Sequence, residues 1–493
     1  LFTSSNRSRQ SAFLKPVDVT PHVVQKRINI ALIEEFYIKN DTQTEDFYDF
    51  SCSYRKKTVP LRRKIVACHR KTLESIMFHR DFYLQKLINA GKNDMIKIVT
   101  GIRRCGKSYL LFEIFHNYLL SQGVKKDHII ELAMDDEHNK SLRNSDKLLD
   151  YIDNHLIGDG ETSYVILDEV QMVDNFIGVL LSMTHKRNVQ TFVSGSNSRF
   201  LSKDVVTEFR GRGWEIRMRP LSFAEYYEAV GGDKGQALND YYIYGGLPEV
   251  AKMSSPEEKE TYLKDVYRTI YLRDIIERNH LHNEEGLEQI FRVLASTMGT
   301  AVNPTKIANT FLSAAQIKIS ANTISKYIEH LKDAFMVNEA LRYDIKGRKY
   351  IGADSKFYFE DPGIRNAILG FRQVEETHIM ENVLYNELCS RGYTVDVGLV
   401  EVWGRDDQGK TIRKKLEVDY VVNRGSQRIY IQSAYRMSDA EKKAQEQRPL
   451  THIGDSFRKV IITGDYARGL YNDDGIYRMG VYEFLLNREC LND

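Results

Sequence analysis

Residues 95–115 read MIKIVTGIRRCGKSYLLFEIF. The run Ile96-Lys97-Ile98-Val99-Thr100 has the short, apolar character of a buried strand, and Tyr109 to Leu120 carries an apolar face at helical spacing. Between them Gly101-Ile102-Arg103-Arg104-Cys105-Gly106-Lys107-Ser108 spells G-x-x-x-x-G-K-S. Strand, glycine loop and helix in that order form a phosphate cradle. Gly101 and Gly106 let the backbone curl so that its N–H groups face an anion, and the helix N-terminus adds a positive dipole end. Lys107 is expected to reach the β- and γ-phosphates of a nucleotide, and Ser108 to offer its hydroxyl to Mg2+. The whole loop, Gly101 to Tyr109, is expected to hold ATP.

The remaining parts of such a site lie downstream. Tyr164-Val165-Ile166-Leu167 reads as a central strand ending in Asp168 and Glu169. Asp168 is expected to hold Mg2+ through water, and Glu169 to polarise the attacking water. A third strand, Gln190 to Ser194, ends in Gly195-Ser196-Asn197-Ser198. A polar residue at that tip senses the γ-phosphate, with Asn197 the first choice and Ser196 the second. HIIELAMDDE, at 128–137, adds a strand ending in Asp135 and Asp136, and WEIRMRPLSFAEYY, at 214–227, a strand entering a helix. Five strands interleaved with helices predict an α/β, doubly wound parallel sheet with its ligand at the strand C-termini. Phosphoryl transfer also calls for an arginine. Arg212 is placed in the catalytic set with Glu169 and Asn197. Arg210 beside it, or Arg103 and Arg104 in the loop, are alternatives. The arginine would act in cis or reach a neighbouring subunit of an oligomer.

TGIRRCGKS, ILDEVQ, SGSNS, GRGWEIRMRPLSFAEYY and YGGLPEV resemble the motifs of prokaryotic AAA ATPases that carry a C-terminal domain of unknown function. These are also called archaeal-type, or AAA+ superfamily, ATP-binding proteins. The resemblance runs from about Met77 to the C-terminus. It implies ATP binding and slow ATP hydrolysis, with Lys107, Ser108, Asp168 and Glu169 in the roles above.

Composition sets the wider bounds. At 493 residues the chain is too long for one ordinary domain. Hydrophobic residues are 42% and charged residues 28%, as in an average soluble chain, and no apolar run approaches a membrane span. Five cysteines, odd in number and without CxxC spacing, argue against disulfides or zinc and fit a reducing cytoplasm. The net charge of +2 gives no global drive toward nucleic acid, but it is unevenly spread. Residues 1–76 hold 14 Lys and Arg against 8 Asp and Glu and show no sustained period. They read as a basic, poorly ordered extension. The chain begins at Leu1, and Met77 is the natural start of the patterned remainder.

The expected divisions are an ATPase domain at 77–232, a helical lid and winged-helix-like module at 233–372, and an α/β nuclease-like domain at 373–493. In the middle, YRTIYLRDIIER is basic and aromatic and either packs on the ATPase or touches nucleic acid. Helices are expected at Ile290–Met298, at Thr305–Leu312 with Asn303-Pro304 at its start, and at Thr323–Phe335. A basic hairpin around Lys346-Gly347-Arg348-Lys349 comes next. Helix, helix, helix, hairpin is a winged-helix outline. In it Asn322, Ser325, Lys326 and Glu329 would face a DNA groove, and Lys346, Arg348 and Lys349 would meet phosphate, so DNA is expected through residues 303–350.

The end of the chain resembles a PD-(D/E)XK nuclease core, in α-β-β-β-α-β order. Asp419 matches the strand acid that would hold Mg2+, and Gln432-Ser433-Ala434 stands where E/Q-x-K is required. Ala434 cannot replace the lysine, so the expectation is a nuclease-like fold without cleavage. Glu381 or Glu387 would supply a further ligand. The chain reads as an ATPase whose nucleotide state moves a C-terminal module that binds DNA. The alternatives are an ATP-gated scaffold with negligible turnover and an ATP-dependent nuclease.

Overall fold

Five short strands rich in Ile, Val and Leu pair edge to edge in the core of the first half of the chain. The computed structural model describes residues 78–196, 209, 211–281, 283–315, 318–372, 374–405, 411–437 and 439–492. The basic extension, Asn197 and Arg210 lie outside the described residues. Helix α1 (Asp81–Ala90) precedes β1 (Ile96–Thr100). Helix α2 then runs as Lys107–Tyr109, a π-helical Leu110–Phe115 and His116–Ser121. There follow β2 (Ile129–Ala133), α3 (Ser145–His155), β3 (Ser163–Asp168), α4 (Phe176–Met183), β4 (Val189–Gly195) and β5 (Gly213–Arg217). The strands lie side by side in the order β2-β3-β4-β1-β5, and every pairing is parallel. Crossover helices cover both faces, which is why β1 and most of β3 are buried along their length.

A helical region succeeds the sheet: α5 (Phe223–Val230), α6 (Lys234–Tyr244), α7 (Pro248–Lys252), α8 (Pro256–Asp265), a π-helical Val266–Leu272, α9 (Arg273–Asn279) and α10 (Glu284–Ser296). Ser222 and Ser255 start α5 and α8 with full capping boxes closed by Glu225 and Glu258. The Gly245-Gly246 turn is dictated by space. A side chain on Gly245, at φ 76°, would meet the Asp361 carboxylate at 2.2 Å, and one on Gly246 would meet Leu221 O at 2.3 Å. The basic, aromatic YRTIYLRDIIER segment packs: Tyr267, Tyr271, Leu272 and Ile275 are buried.

After β6 (Ala301–Val302), helices α11 (Pro304–Ala315) and α12 (Ala321–Asp333) lead to the hairpin β7 (Val337–Asp344) and β8 (Lys349–Phe359). Asn303 caps α11 by accepting from Lys306 N at 2.8 Å. Next come α13 (Pro362–Ile368), α14 (Glu376–Ser390), β9 (Thr394–Arg405), β10 (Thr411–Arg424), β11 (Gln427–Ala434), α15 (Ala440–Thr451) and β12 (Arg458–Thr463). β13 (Leu470–Tyr471), β14 (Tyr477–Gly480) and α16 (Val481–Leu486) close the chain.

The division expected at 372/373 does not separate two sheets. One nine-stranded mixed sheet, β13-β14-β12-β11-β10-β9-β7-β8-β6, carries both the hairpin and the C-terminal strands. The cause is that β7 pairs in parallel with β9, Arg342 to Asp344 against Val397 to Leu399. Ile345 N then extends the ladder to Leu399 O at 3.0 Å. Pairing covers an edge that would otherwise leave backbone groups unmatched. No helix among the described residues is long and apolar enough to cross a membrane.

Candidate nucleotide-binding site

The glycine loop sits where β1 ends and α2 begins, at the C-terminal edge of the parallel sheet. Gly101, at φ 147°, passes so close to the end of β5 that a side chain there would meet Met218 O at 2.1 Å. Lys107 is buried, and its Nζ donates to Gly101 O and Ile102 O at 3.2 and 3.3 Å, which holds the loop closed around its own lysine. Cys105 is wholly buried against Met218, so it is a packing residue of the loop.

The tip of β3 delivers Asp168 to the first turn of α2. Ser108 Oγ donates to Asp168 Oδ2 at 2.6 Å, and Ser194 Oγ at the end of β4 donates to Oδ1. Burial holds the Asp168 carboxyl above its usual range, against the two hydroxyls that lower it. Glu169 is next, in a left-handed conformation at φ 49°, its N–H bound to Ser194 Oγ at 3.1 Å. Gln171 Nε2 and Ser196 Oγ both donate to Glu169 Oε2, the latter at 3.0 Å. Glu169 Oε1 takes no hydrogen bond from the described residues. Ser194 is the contributor that the sequence reading missed. It orients both acids from inside a strand, just before the polar tip that drew attention.

The two loop arginines face outward into the helical region. Arg103 pairs with Asp274 Oδ1 of α9 at 3.1 Å, and its Nε donates to Ser196 Oγ at 3.3 Å. The Tyr271 hydroxyl donates to Arg103 O at 2.8 Å. Arg104 sits beside Tyr262 of α8.

Arg212 is not brought to this loop. Its carbonyl accepts from Ile96 N at 2.9 Å, so it is level with the start of β1. The loop begins five residues further on, about 16 Å away along an extended strand. Its exposed side chain is at the wrong end of the sheet to act on a ligand held by its own Lys107.

At the sheet's other side, β5 leads into a buried ionic joint. Glu360 accepts from Arg219 at 2.7 Å, Arg217 at 3.1 Å and Asn338 at 2.6 Å. The guanidinium groups of Arg219 and Arg217 hold its carboxylate below the usual range despite burial, which alone would raise it. The strand beside the loop is thereby tied to both strands of the β7–β8 hairpin.

The residues proposed for a DNA groove divide. Asn322, Lys326 and Glu329 are exposed on α12, whereas Ser325 Oγ is turned onto Ala321 O at 3.0 Å. Lys346, Arg348 and Lys349 are exposed at the hairpin tip, with Lys346 Nζ on Glu401 O at 3.0 Å.

In the C-terminal sheet Asp419 and Glu381 are close, and Glu387 is not part of that group. Glu387 pairs with Arg391 at 2.8 Å. The Gln432 side chain is on the other face of β11. Ile429 and Ile431 pack in one core, while Tyr430 and Ala434, on the side Gln432 shares, pack in another. Gln432 Nε2 donates to Glu446 of α15 at 3.3 Å, and its Oε1 accepts from the backbone N–H of Asp419 at 3.4 Å. A bulge between Val418 and Val421 shifts the strand faces here, which a count of residues from Asp419 does not anticipate.

Among known proteins, residues 93–227 match the family model "AAA domain", and residues 235–375 match a domain of unknown function, DUF8612. An uncharacterized protein of Haemophilus influenzae is 31% identical over 419 residues, covering 84% of this chain and 100% of that protein. An uncharacterized protein of Methanocaldococcus jannaschii is 28% identical over 406 residues, covering 78% of this chain and 84% of that one. Among solved structures, the Aeropyrum pernix Orc1 protein in complex with DNA aligns with 59% of this chain and 92% of its own, at 12% identity and TM-score 0.27. Cdc6p of Pyrobaculum aerophilum aligns with 62% and 95%, at 11% identity and TM-score 0.26. At those scores the fold rests on the strand order and the loop.

Proposed function

This chain belongs to the archaeal-type AAA+ ATPases that carry a second domain of unknown function, and from that premise we propose that it is a Mg2+-dependent ATPase whose nucleotide state repositions its C-terminal module. The observation that carries the reading is the meeting of Ser108 and Asp168 at 2.6 Å, beside Lys107. The residues fit both groups. Gly101 lets the loop turn tightly against the end of β5, and Lys107 points its donors at loop carbonyls that a phosphate can replace. Ser108 and Asp168 would hold Mg2+, which supplies charge neutralisation for the transferred phosphoryl group.

The chain's own groups account for the rest. Lys107 binds the phosphate charge. Asp168 and Ser108 orient the cation. Glu169, with Oε2 fixed by Gln171 and Ser196, presents Oε1 to a water molecule and draws on its proton. Asn197, outside the described residues, is the proposed γ-phosphate sensor next to Ser196. Arg212 would serve a site on a neighbouring copy.

Movement follows from the contacts that hold the loop. Arg103 is shared between Asp274 and Ser196, so a phosphate competes with Asp274 for the same guanidinium. On the other side, Glu360 ties β5 to the hairpin. We read the helices and hairpin at 303–350 as the DNA-contacting part, supported by the exposed Lys326, Lys346, Arg348 and Lys349. A Glu169→Gln chain, loaded with ATP and Mg2+, should exchange amide hydrogens differently in α9 and in the β7–β8 hairpin from the nucleotide-free chain. Identical exchange in both states would leave an ATPase without a moving module. ATP-dependent retention of duplex DNA, lost in a Lys346→Glu/Lys349→Glu chain, tests the partner.

A further inference from the structure

The motif that the C-terminal sheet lacks on β11 is met from an unexpected strand. Lys356, in the hairpin strand β8, is 3% exposed. Its Nζ lies 2.8 Å from Glu381 Oε1 on α14, 2.8 Å from Glu417 Oε1 and 3.8 Å from Asp419 Oδ1 on β10. The Tyr358 hydroxyl donates to the same Glu381 oxygen at 2.6 Å, and Ser433 N donates to Asp419 Oδ2 at 2.8 Å. Arg342 takes the other oxygen of Glu417 at 2.9 Å. Three acids from two elements thus converge on one ammonium group.

A nuclease-like reading asks this pocket to hold Mg2+, and with Lys356 standing between the acids the residues do not fit that ion. Octahedral Mg2+ at about 2.1 Å from each oxygen brings neighbouring ligands to about 3 Å of one another. Among the described residues, Glu381, Glu417 and Asp419 do not place one oxygen each within even 4.8 Å of one another. The space between them is spanned by Nζ. Charge agrees. Lys356 and Arg342 are already two cations among these carboxyl groups, and a dication added to them would leave the buried pocket positive. The carboxylates hold Lys356 protonated: burial alone would lower its pKa, but Glu381, Asp419 and Glu417 together raise it above the usual range.

We propose that the Lys356 ammonium is the resident cation of this pocket, standing where a nuclease of this topology would hold a metal ion, and that it locks the hairpin to α14 and β10. The pocket then works as a joint. It supports no metal-dependent phosphodiester cleavage, and the hairpin and C-terminal sheet respond to the ATPase as one body.

The test is calorimetric titration of the full, nucleotide-free chain with Mn2+. The parent and Glu381→Gln chains should bind the same number of Mn2+ ions, because neither offers a site here. Lys356→Ala should gain one Mn2+ site, and Lys356→Ala/Glu381→Gln should lose it again. A parent chain that binds one Mn2+ ion more than Glu381→Gln overturns the proposal. So does a folded Lys356→Ala chain that gains none. If Lys356→Ala does not fold, the comparison of the parent with Glu381→Gln and with Asp419→Asn still decides. Equal stoichiometry in all three supports the resident ammonium, and an ion lost with either acid refutes it.

Discussion

Ser108 Oγ and Asp168 Oδ2 stand 2.6 Å apart, so the first turn of α2 and the tip of β3 are joined by a hydrogen bond between the two groups that would share a cation. Replacing Ser108 by Ala removes one ligand and leaves Asp168 oriented by Ser194. The Mg2+ concentration for half-maximal hydrolysis should rise about tenfold, the equivalent of about 1.4 kcal/mol. A Mg2+ titration of phosphate release at fixed ATP measures this. An unchanged midpoint would remove Ser108 from the cation site.

Lys107 makes two bonds to loop carbonyls and is buried, so its replacement touches both ligand and loop. Charge-assisted bonds contribute about 1.5–3 kcal/mol each. Lys107→Ala should weaken ATP about tenfold to a hundredfold in a fluorescent-nucleotide titration, with far-ultraviolet circular dichroism unchanged. Affinity within twofold of the parent would contradict the assignment.

Arg212 gives a prediction about assembly. Its place beside Ile96, at the far end of β1 from the loop, forbids a role on its own ligand. Arg212→Ala should bind ATP like the parent. If it serves a neighbouring copy, turnover per chain should rise with protein concentration in the parent and lose that rise in the variant. Transition-state arginines contribute on the order of a thousandfold or more. Concentration-independent turnover, equal in both chains, would exclude it.

Glu360 sits without exposure between Arg217, Arg219 and Asn338. Breaking a buried ion pair from one side leaves an uncompensated charge, at a cost of about 3–5 kcal/mol. Glu360→Gln should lower stability by about that amount in urea unfolding. A loss below about 1 kcal/mol would mean that the joint relaxes freely.

Asp361 provides a pH signature. Burial pushes its carboxyl up to about 6, against backbone N–H groups of Gly246, Ile364 and Gly363 that lower it. The folded chain therefore holds a proton there that the unfolded chain releases between about pH 4 and pH 6. By linkage this contribution to stability is greatest below about pH 4 and falls as pH rises toward 6. Asp361→Asn removes that descending term. The stability difference, variant minus parent, should therefore grow more positive between pH 4.5 and 6.5, and a flat difference would refute the shifted carboxyl.

The parts legible in the sequence are those set by local pattern. Gly101 to Ser108 and the strand ending in Asp168 carry their chemistry within a few residues. The strands and helices around them follow from apolar periodicity. The features that stayed hidden depend on residues far apart in the chain. Ser194 has no motif of its own and acts only because β4 lies beside β3. Arg217, Arg219 and Glu360 meet across more than 140 positions. Lys356 is not legible in the sequence because a nuclease-type lysine is expected on β11, where Ala434 stands, while the side chain comes from β8. The bulge in β10 sets the face of Asp419 relative to Gln432, and no residue count across the two strands anticipates it.

The central claim is that Lys107, Asp168 and Glu169 form an ATP-hydrolysing site, and steady-state phosphate release from the parent and Glu169→Gln chains, with ATP affinity measured on both, tests it most directly. The account predicts Mg2+-dependent turnover in the parent, and in Glu169→Gln an unchanged affinity with turnover reduced at least a hundredfold, the scale of general-base catalysis. Equal hydrolysis by the two chains, or a parent that binds ATP without ever releasing phosphate, would contradict it.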